Sequence, residues 1–174
     1  MNNKAFTITE LLVTSVIILL IYGSAIGAYL IIQGTYQGWM TEYNMQRNVN
    51  LVMLRIQRGV REDTGIFGLR SAVSYTLPVV NPAASEIDFV GTDGNTRRYF
   101  LRNNNSIIYE SPTQSPRQQT VYTVPAGSSI TLQFWKPRSD GETVEVYLSV
   151  SKRTQNRNVS GSLLTYVNLR NMPK

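Results

Sequence analysis

The chain contains no cysteine and no histidine, and its first proline is Pro78. Without cysteine there is no disulfide framework, thiol nucleophile or thiolate metal site. Without histidine there is neither a Ser-His triad nor an imidazole-bound zinc. Any catalysis would fall to carboxylates, Lys or Tyr. Acidic residues are also scarce, 11 against 17 Lys and Arg in 174 residues. The resulting formal charge of +6 leaves nucleic acid, anionic lipid or an acidic protein open as partners. A helix formed before Pro78 has no proline kink available to it.

What the chain has in abundance is concentrated at one end. Phe6 to Ile32 holds 19 apolar residues in 27, whereas residues 33–174 hold 52 in 142. Leu11 to Ile32 is a run of 22 residues without a charge, which at 1.5 Å per residue gives roughly 33 Å, enough to cross a hydrocarbon core as a helix. Lys4 precedes the run and the first basic residue after it is Arg47, so the N-terminus is expected on the cytoplasmic side and the polar remainder outside. The run is longer than the roughly 7 to 15 residues of a signal-peptide core, and its small-residue exit, Ala25-Ile26-Gly27, is a poor cleavage site. Glu10 stands at the mouth of this run. A carboxylate inside a bilayer costs about 2.5 to 3.5 kcal/mol, so Glu10 is expected at the interface or beside a cation.

The stretch Lys4-Ala5-Phe6-Thr7-Ile8-Thr9-Glu10-Leu11-Leu12-Val13 resembles the type III signal of the type IV pilin and pseudopilin family: a short basic leader, a small residue, Phe, and Glu four residues on. The sequence departs from the family at Ala5, where Gly is usual. The resemblance implies cleavage between Ala5 and Phe6 by a prepilin peptidase and methylation of the Phe6 amine. It also implies a partner for Glu10, the charged amine of a neighbouring subunit, a pair that would set register in a filament. Gly23 and Gly27 form a small-xxx-small pattern that lets another helix approach, or else they are ordinary membrane-helix glycines.

Beyond Ile32 the helical period continues in a more polar composition. Met45, Val49, Val52, Ile56 and Val60 recur every three or four residues, with Tyr36, Met40 and Tyr43 leading into the same kind of stripe. Arg47, Arg55, Arg58 and Arg61 take the polar positions. Gly34 and Gly38 weaken the helix, and Gly65 with Gly68 marks its expected end. From residue 71 the period changes to two. Glu86 to Val90 and Thr96 to Leu101 are joined through Asp93-Gly94, Asn103-Asn104-Asn105 turns into Ser106 to Glu110, and Ser111 to Pro116 is a polar loop. Ile130 to Trp135 and Val144 to Ser151 alternate around a turn at Ser139-Asp140-Gly141-Glu142, and Leu163 to Arg170 is a last strand.

These patterns predict an α+β fold, a long N-terminal helix packed by its second half on an antiparallel sheet. The expected divisions are a leader (1–5), a transmembrane and assembly helix (6–32), its amphipathic continuation (33–64) and a sheet domain (65–174). The order of elements also resembles the pilin and pseudopilin family, and the layout from Glu86-Ile87-Asp88-Phe89 through Arg97-Arg98-Tyr99-Phe100-Leu101, with the ending Tyr166-Val167-Asn168-Leu169-Arg170-Asn171, looks like the J-type minor pseudopilins of type II secretion and the W-type minor pilins. Retention of Glu10 departs from the K-type tip subunit. Major pseudopilins bind calcium near their C-terminus, whereas Asn156 to Lys174 has no acidic residue.

Candidate chemistry in the sheet domain is sparse. Ser149-Val150-Ser151-Lys152 fits a S-x-x-K nucleophile pattern, but on a strand its Ser and Lys fall on opposite faces. Glu86 and Asp88 share a strand face as a carboxylate pair, without the oxygen-rich loop calcium needs. Arg97, Arg98 and Arg102 flank Tyr99 and Phe100, and Lys152, Arg153 and Arg157 form a second basic group. These are candidates for nucleic-acid contact or the solvated arginines of an exposed sheet. The expected function is that of a non-enzymatic minor pilin-like subunit of a type II secretion pseudopilus or type IV pilus, anchored in the bacterial inner membrane before assembly, without metal or cofactor. Its expected partners are other pilin-like subunits, a prepilin peptidase and the inner-membrane assembly platform. The alternative is a DNA-uptake or adhesion minor pilin with a basic binding head.

Overall fold

Helix α1 runs from Ile8 to Arg58, 51 residues, and is helical through Gly34 and Gly38. The computed structural model describes residues 7–60, 66–77, 84–136, 143–154 and 158–169. The Ala5–Phe6 junction, Arg61, Gly65, the turn at Ser139 to Glu142, Arg157 and Arg170 lie outside the described residues. The chain divides into two units, Met1–Thr41 and Glu42–Lys174.

In the first unit the described residues are helix and flanking turn. None of them is buried, and α1 is the helix long and apolar enough to cross a membrane. Among the described residues of this unit, the apolar side chains of α1 enter no core.

The second unit joins the rest of α1 to three antiparallel sheets. Met45, Val49, Val52, Met53 and Ile56 are buried, four of them from the expected stripe, which places one helix face in the core. At about 1.5 to 3 kcal/mol for each large apolar side chain, this face is a main source of the docking energy. Tyr43, at the start of that stripe in sequence, is exposed. The helix ends at Arg58, short of the expected boundary. Gly59 takes φ +76°, and a Cβ there would lie 2.2 Å from the Ile66 carbonyl oxygen. A glycine past the last helical residue is the usual stop, since it enters the left-handed region without strain.

A short ladder of β1 (Gly59–Val60) with β2 (Ile66–Phe67) follows the helix, then a 3-10 turn at Leu69–Ser71. The larger sheet has five strands in order: β3 (Ser74–Thr76), β4 (Glu86–Val90), β5 (Thr96–Arg102), β6 (Ser106–Glu110) and β7 (Gln118–Thr123). The turn from β5 to β6 places Asn103 and Asn104 at φ 51° and 52°, with Asn105 N–H donating to the Arg102 carbonyl. Two consecutive left-handed residues match strand twist, and asparagine tolerates that region well. The other sheet has three strands, β8 (Ser128–Trp135), β9 (Thr143–Arg153) and β10 (Asn158–Asn168), with β9 in the middle. One bridge, Ala84 with Phe134, links the two.

Alternation decides the layers. Ile130, Leu132 and Phe134 of β8 and Val144, Val146, Leu148 and Val150 of β9 are buried, and Val159 and Val167 of β10 share their face. The helix crosses this face closely at Gly161, where a Cβ would stand 3.0 Å from the Gln46 backbone nitrogen. Gln46 donates to the Ser162 carbonyl at 3.2 Å and Gln57 to Thr165 Oγ1 at 2.9 Å, fixing the helix along β10. The core is one cluster fed by α1 and both larger sheets.

Candidate functional site

The described start of α1 is closed by its own side chains. Thr7 N–H donates to Glu10 Oε2 at 3.0 Å, while Glu10 N–H donates to Thr7 Oγ1 at 3.3 Å. This reciprocal pair is a capping box, which satisfies two of the backbone donors left free at a helix start. The Thr7 hydroxyl also donates to Glu10 Oε2 at 2.9 Å, and Thr14 Oγ1 donates to the Glu10 carbonyl. Glu10 is therefore held by a neighbour that sequence reasoning passed over, although the T-x-x-E spacing of Thr7 and Glu10 was its signature. Ser15, Ser24 and Thr35 likewise return their hydroxyls to helix carbonyls, so these polar side chains place no unpaired donor on the apolar surface.

Two kinds of surface are then offered by the helix in the first unit. An added Cβ at Gly23, Gly27 or Gly34 would meet nothing within 4 Å, so the backbone there is open to close approach. Tyr22, Tyr29 and Tyr36 recur every seventh residue and are each at least 60% exposed. Seven residues are two turns, so these rings line one side. The seven-residue period was present in the sequence but hidden among the other apolar residues.

The three arginines of β5 are placed differently. Arg97 is buried: it forms a two-pronged ion pair with Asp93, Nη2 to Oδ2 at 2.5 Å and Nη1 to Oδ1 at 2.7 Å, and its guanidinium lies 3.9 Å from the centroid of the Phe67 ring. Arg97 holds the Asp93 carboxyl well below the usual carboxylate range, chiefly through that hydrogen bond, and Asp93 raises the Arg97 value in turn. The Phe67 backbone is gripped as well, its carbonyl by the Tyr99 hydroxyl at 2.7 Å and its N–H by Tyr109 Oη at 3.3 Å. Burial pushes the Tyr99 phenol well above its ordinary value, which keeps it a donor.

Arg98 faces the other side of the strand, where its Nε meets Asp88 Oδ1 at 2.6 Å and its Nη1 lies 3.9 Å from Glu86. The carboxylate pair Glu86 and Asp88 is thus present on one face, with Arg98 bound to Asp88 and at the limit of ion-pair distance from Glu86. Arg102 bonds to Gln118 and lies 5.6 Å from the Phe100 ring. Lys152 and Arg153 belong to β9 in the other sheet, so the two basic groups are carried by different sheets. Ser149 sits across from Thr131 and Ser162, while Lys152 has the parity of buried Val150, so Ser149 and Lys152 lie on opposite faces. Among the described residues, no three acidic side chains gather where a metal ion would sit.

The architecture, a long apolar N-terminal helix whose later turns pack on an antiparallel sheet, is consistent with a pilin-like fold. No family model matches the chain, and neither a curated protein nor a solved structure does.

Proposed function

We propose that the chain is a non-enzymatic pilin-like structural subunit, processed at Ala5–Phe6 and assembled through its N-terminal helix into a type II secretion pseudopilus or a type IV pilus. One observation carries this reading: from Ile8 to Asn44 no residue of α1 is buried, although the stretch is largely apolar, whereas the turns after it enter a protein core. An apolar surface of this length needs lipid before assembly and other helices after it. The inner membrane supplies the first, with the N-terminus cytoplasmic and the sheet domain outside, and the fibre supplies the second.

Glu10 has a role in both settings. In the single chain its carboxylate is satisfied by Thr7, which lowers the cost of holding an acid at the apolar boundary. In the fibre the same oxygens take the amine of a neighbour, a charge-assisted pair stronger than a neutral hydrogen bond. The open glycine positions Gly23 and Gly27 and the rings of Tyr22, Tyr29 and Tyr36 give neighbouring helices two different faces to pack on.

The test is incorporation. Glu10→Val in the full chain is expected to leave the protein in the membrane fraction at wild-type level while its share of the sheared fibre fraction falls at least tenfold. Wild-type incorporation of Glu10→Val would remove the assembly role given to this residue.

A further inference from the structure

The second unit carries two surfaces that complement each other in both charge and apolarity. The first is on the outward side of α1. Arg47, Leu51, Leu54 and Arg58 follow one another at spacings of four, three and four, so they form a single stripe. All four are exposed, Leu51 at 48% and Leu54 at 44%. This stripe is turned away from buried Val49, Val52 and Ile56. Among the described residues no acid pairs with Arg47 or Arg58.

The second surface is the outer face of the three-stranded sheet. Trp135, Glu145 and Tyr166 stand side by side across β8, β9 and β10, and Gln133, Tyr147 and Leu164 form the adjacent row. An open sheet face is ordinarily polar. Here it bears Tyr166 at 61% exposure and Leu164 at 47%, around one carboxylate, Glu145, that is itself buried at 8% exposure. The Trp135 indole N–H donates to Glu145 Oε2 and fixes the carboxylate against the ring. Among the described residues no cation pairs with Glu145. A carboxylate ringed by aromatic side chains suits a guanidinium, which pairs with the acid while stacking on the rings.

The dimensions agree. Leu54 and Arg58 are one helical turn apart, about 6 Å along the axis. The rows through Tyr147 and Glu145 are two strand residues apart, about 7 Å. A leucine laid on Tyr147 and Leu164 therefore brings the arginine one turn away over Glu145.

We infer that these surfaces join copies of this chain, the Arg47-Leu51-Leu54-Arg58 stripe of one copy seating on the Trp135-Glu145-Tyr166 and Tyr147-Leu164 face of the next. The inner turns of the helix lie on the core side of the same sheet, so the stripe and the aromatic face look out on opposite sides of the unit. Patches so placed do not meet across a two-fold axis; they repeat head to tail and propagate. The inference rests on the filament reading for its setting and adds that the chain is a repeating subunit, with neighbours of its own kind.

The absence of native cysteine makes the contact directly testable. Full-length chains with Leu54→Cys are co-expressed with full-length chains with Leu164→Cys, and membranes and fibres are treated with a short bis-maleimide. The expected result is a mixed dimer at least tenfold more abundant than the dimer from either variant alone. Glu145→Arg in the Leu164→Cys copy is expected to reduce it at least tenfold, and Arg47→Glu with Arg58→Glu in the other copy to restore it. A missing mixed dimer, a dominant Leu164→Cys homodimer, or indifference to Glu145→Arg would overturn the inference. If fibres contain the chain but no mixed dimer forms, only this contact fails; if the mixed dimer forms and the chain never enters a fibre, the filament reading fails.

Discussion

Arg97 is the largest fully buried side chain among the described residues, and its environment predicts an asymmetric response to substitution. Asp93→Asn removes the counter-charge and leaves a guanidinium buried, which costs about 3 kcal/mol. Arg97→Met keeps the volume over Phe67 and leaves Asp93, 40% exposed, to be hydrated, so it is expected to cost less. The Asp93 carboxyl is depressed in the folded state, so the stability it contributes is whole above about pH 4 and is lost as the pH falls below that value. Urea unfolding of the detergent-solubilised chain, followed by tryptophan fluorescence between pH 2 and 7, checks both points. Asp93→Asn should be less stable at pH 7 and flatter below pH 4. Equal losses for the two variants would contradict the account. The sequence was ambiguous here because Arg97-Arg98-Tyr99-Phe100 puts one arginine and one aromatic on each face of a strand. Which arginine goes inside depends on Phe67, thirty residues away in sequence. Glu10 shows the opposite case, since its capping partner Thr7 is local and the spacing alone specifies it.

At the scale of elements, alternation and turn chemistry made several parts legible. The Asp93-Gly94 and Asn103-Asn104 hairpins, the buried sets of β8 and β9, and four of the five buried helix positions follow from period and residue type. Other features depend on tertiary contact. Strand β7, Gln118-Gln119-Thr120-Val121-Tyr122-Thr123, has one buried residue and little pattern, and it is held by pairing with β6. Strand β10 begins at Asn158, earlier than expected at Leu163, because Gly161, which interrupts the apolar alternation, is dictated by the helix lying over it. That gives a prediction. Gly161→Val drives a branched side chain into the α1 backbone and should destabilise the second unit by about 2 kcal/mol, whereas Ser160→Val, on the exposed face, should change stability little. Thermal unfolding of the two variants checks it, and equal melting temperatures would mean that helix and strand do not meet as described.

For the whole molecule, composition already divided the chain, because an apolar run without charge and a domain of ordinary polarity require different surroundings. Two things were not legible. The antiparallel strands fall into a five-stranded and a three-stranded sheet, a partition set by which edges meet at Ala84 and Phe134 and not by any strand's own pattern. The outer face of the three-stranded sheet, with Trp135, Glu145, Tyr147 and Tyr166 together, exists only once the register of three strands is fixed. The filament account ties these parts to a single event at the N-terminus, the exposure of a charged amine on Phe6 for the Glu10 of a neighbour. The most direct measurement is the intact mass and N-terminal sequence of the membrane-extracted protein. A chain beginning at methylated Phe6 is the predicted result; an intact Met1, or a start after Gly27 or Ala28, would contradict it.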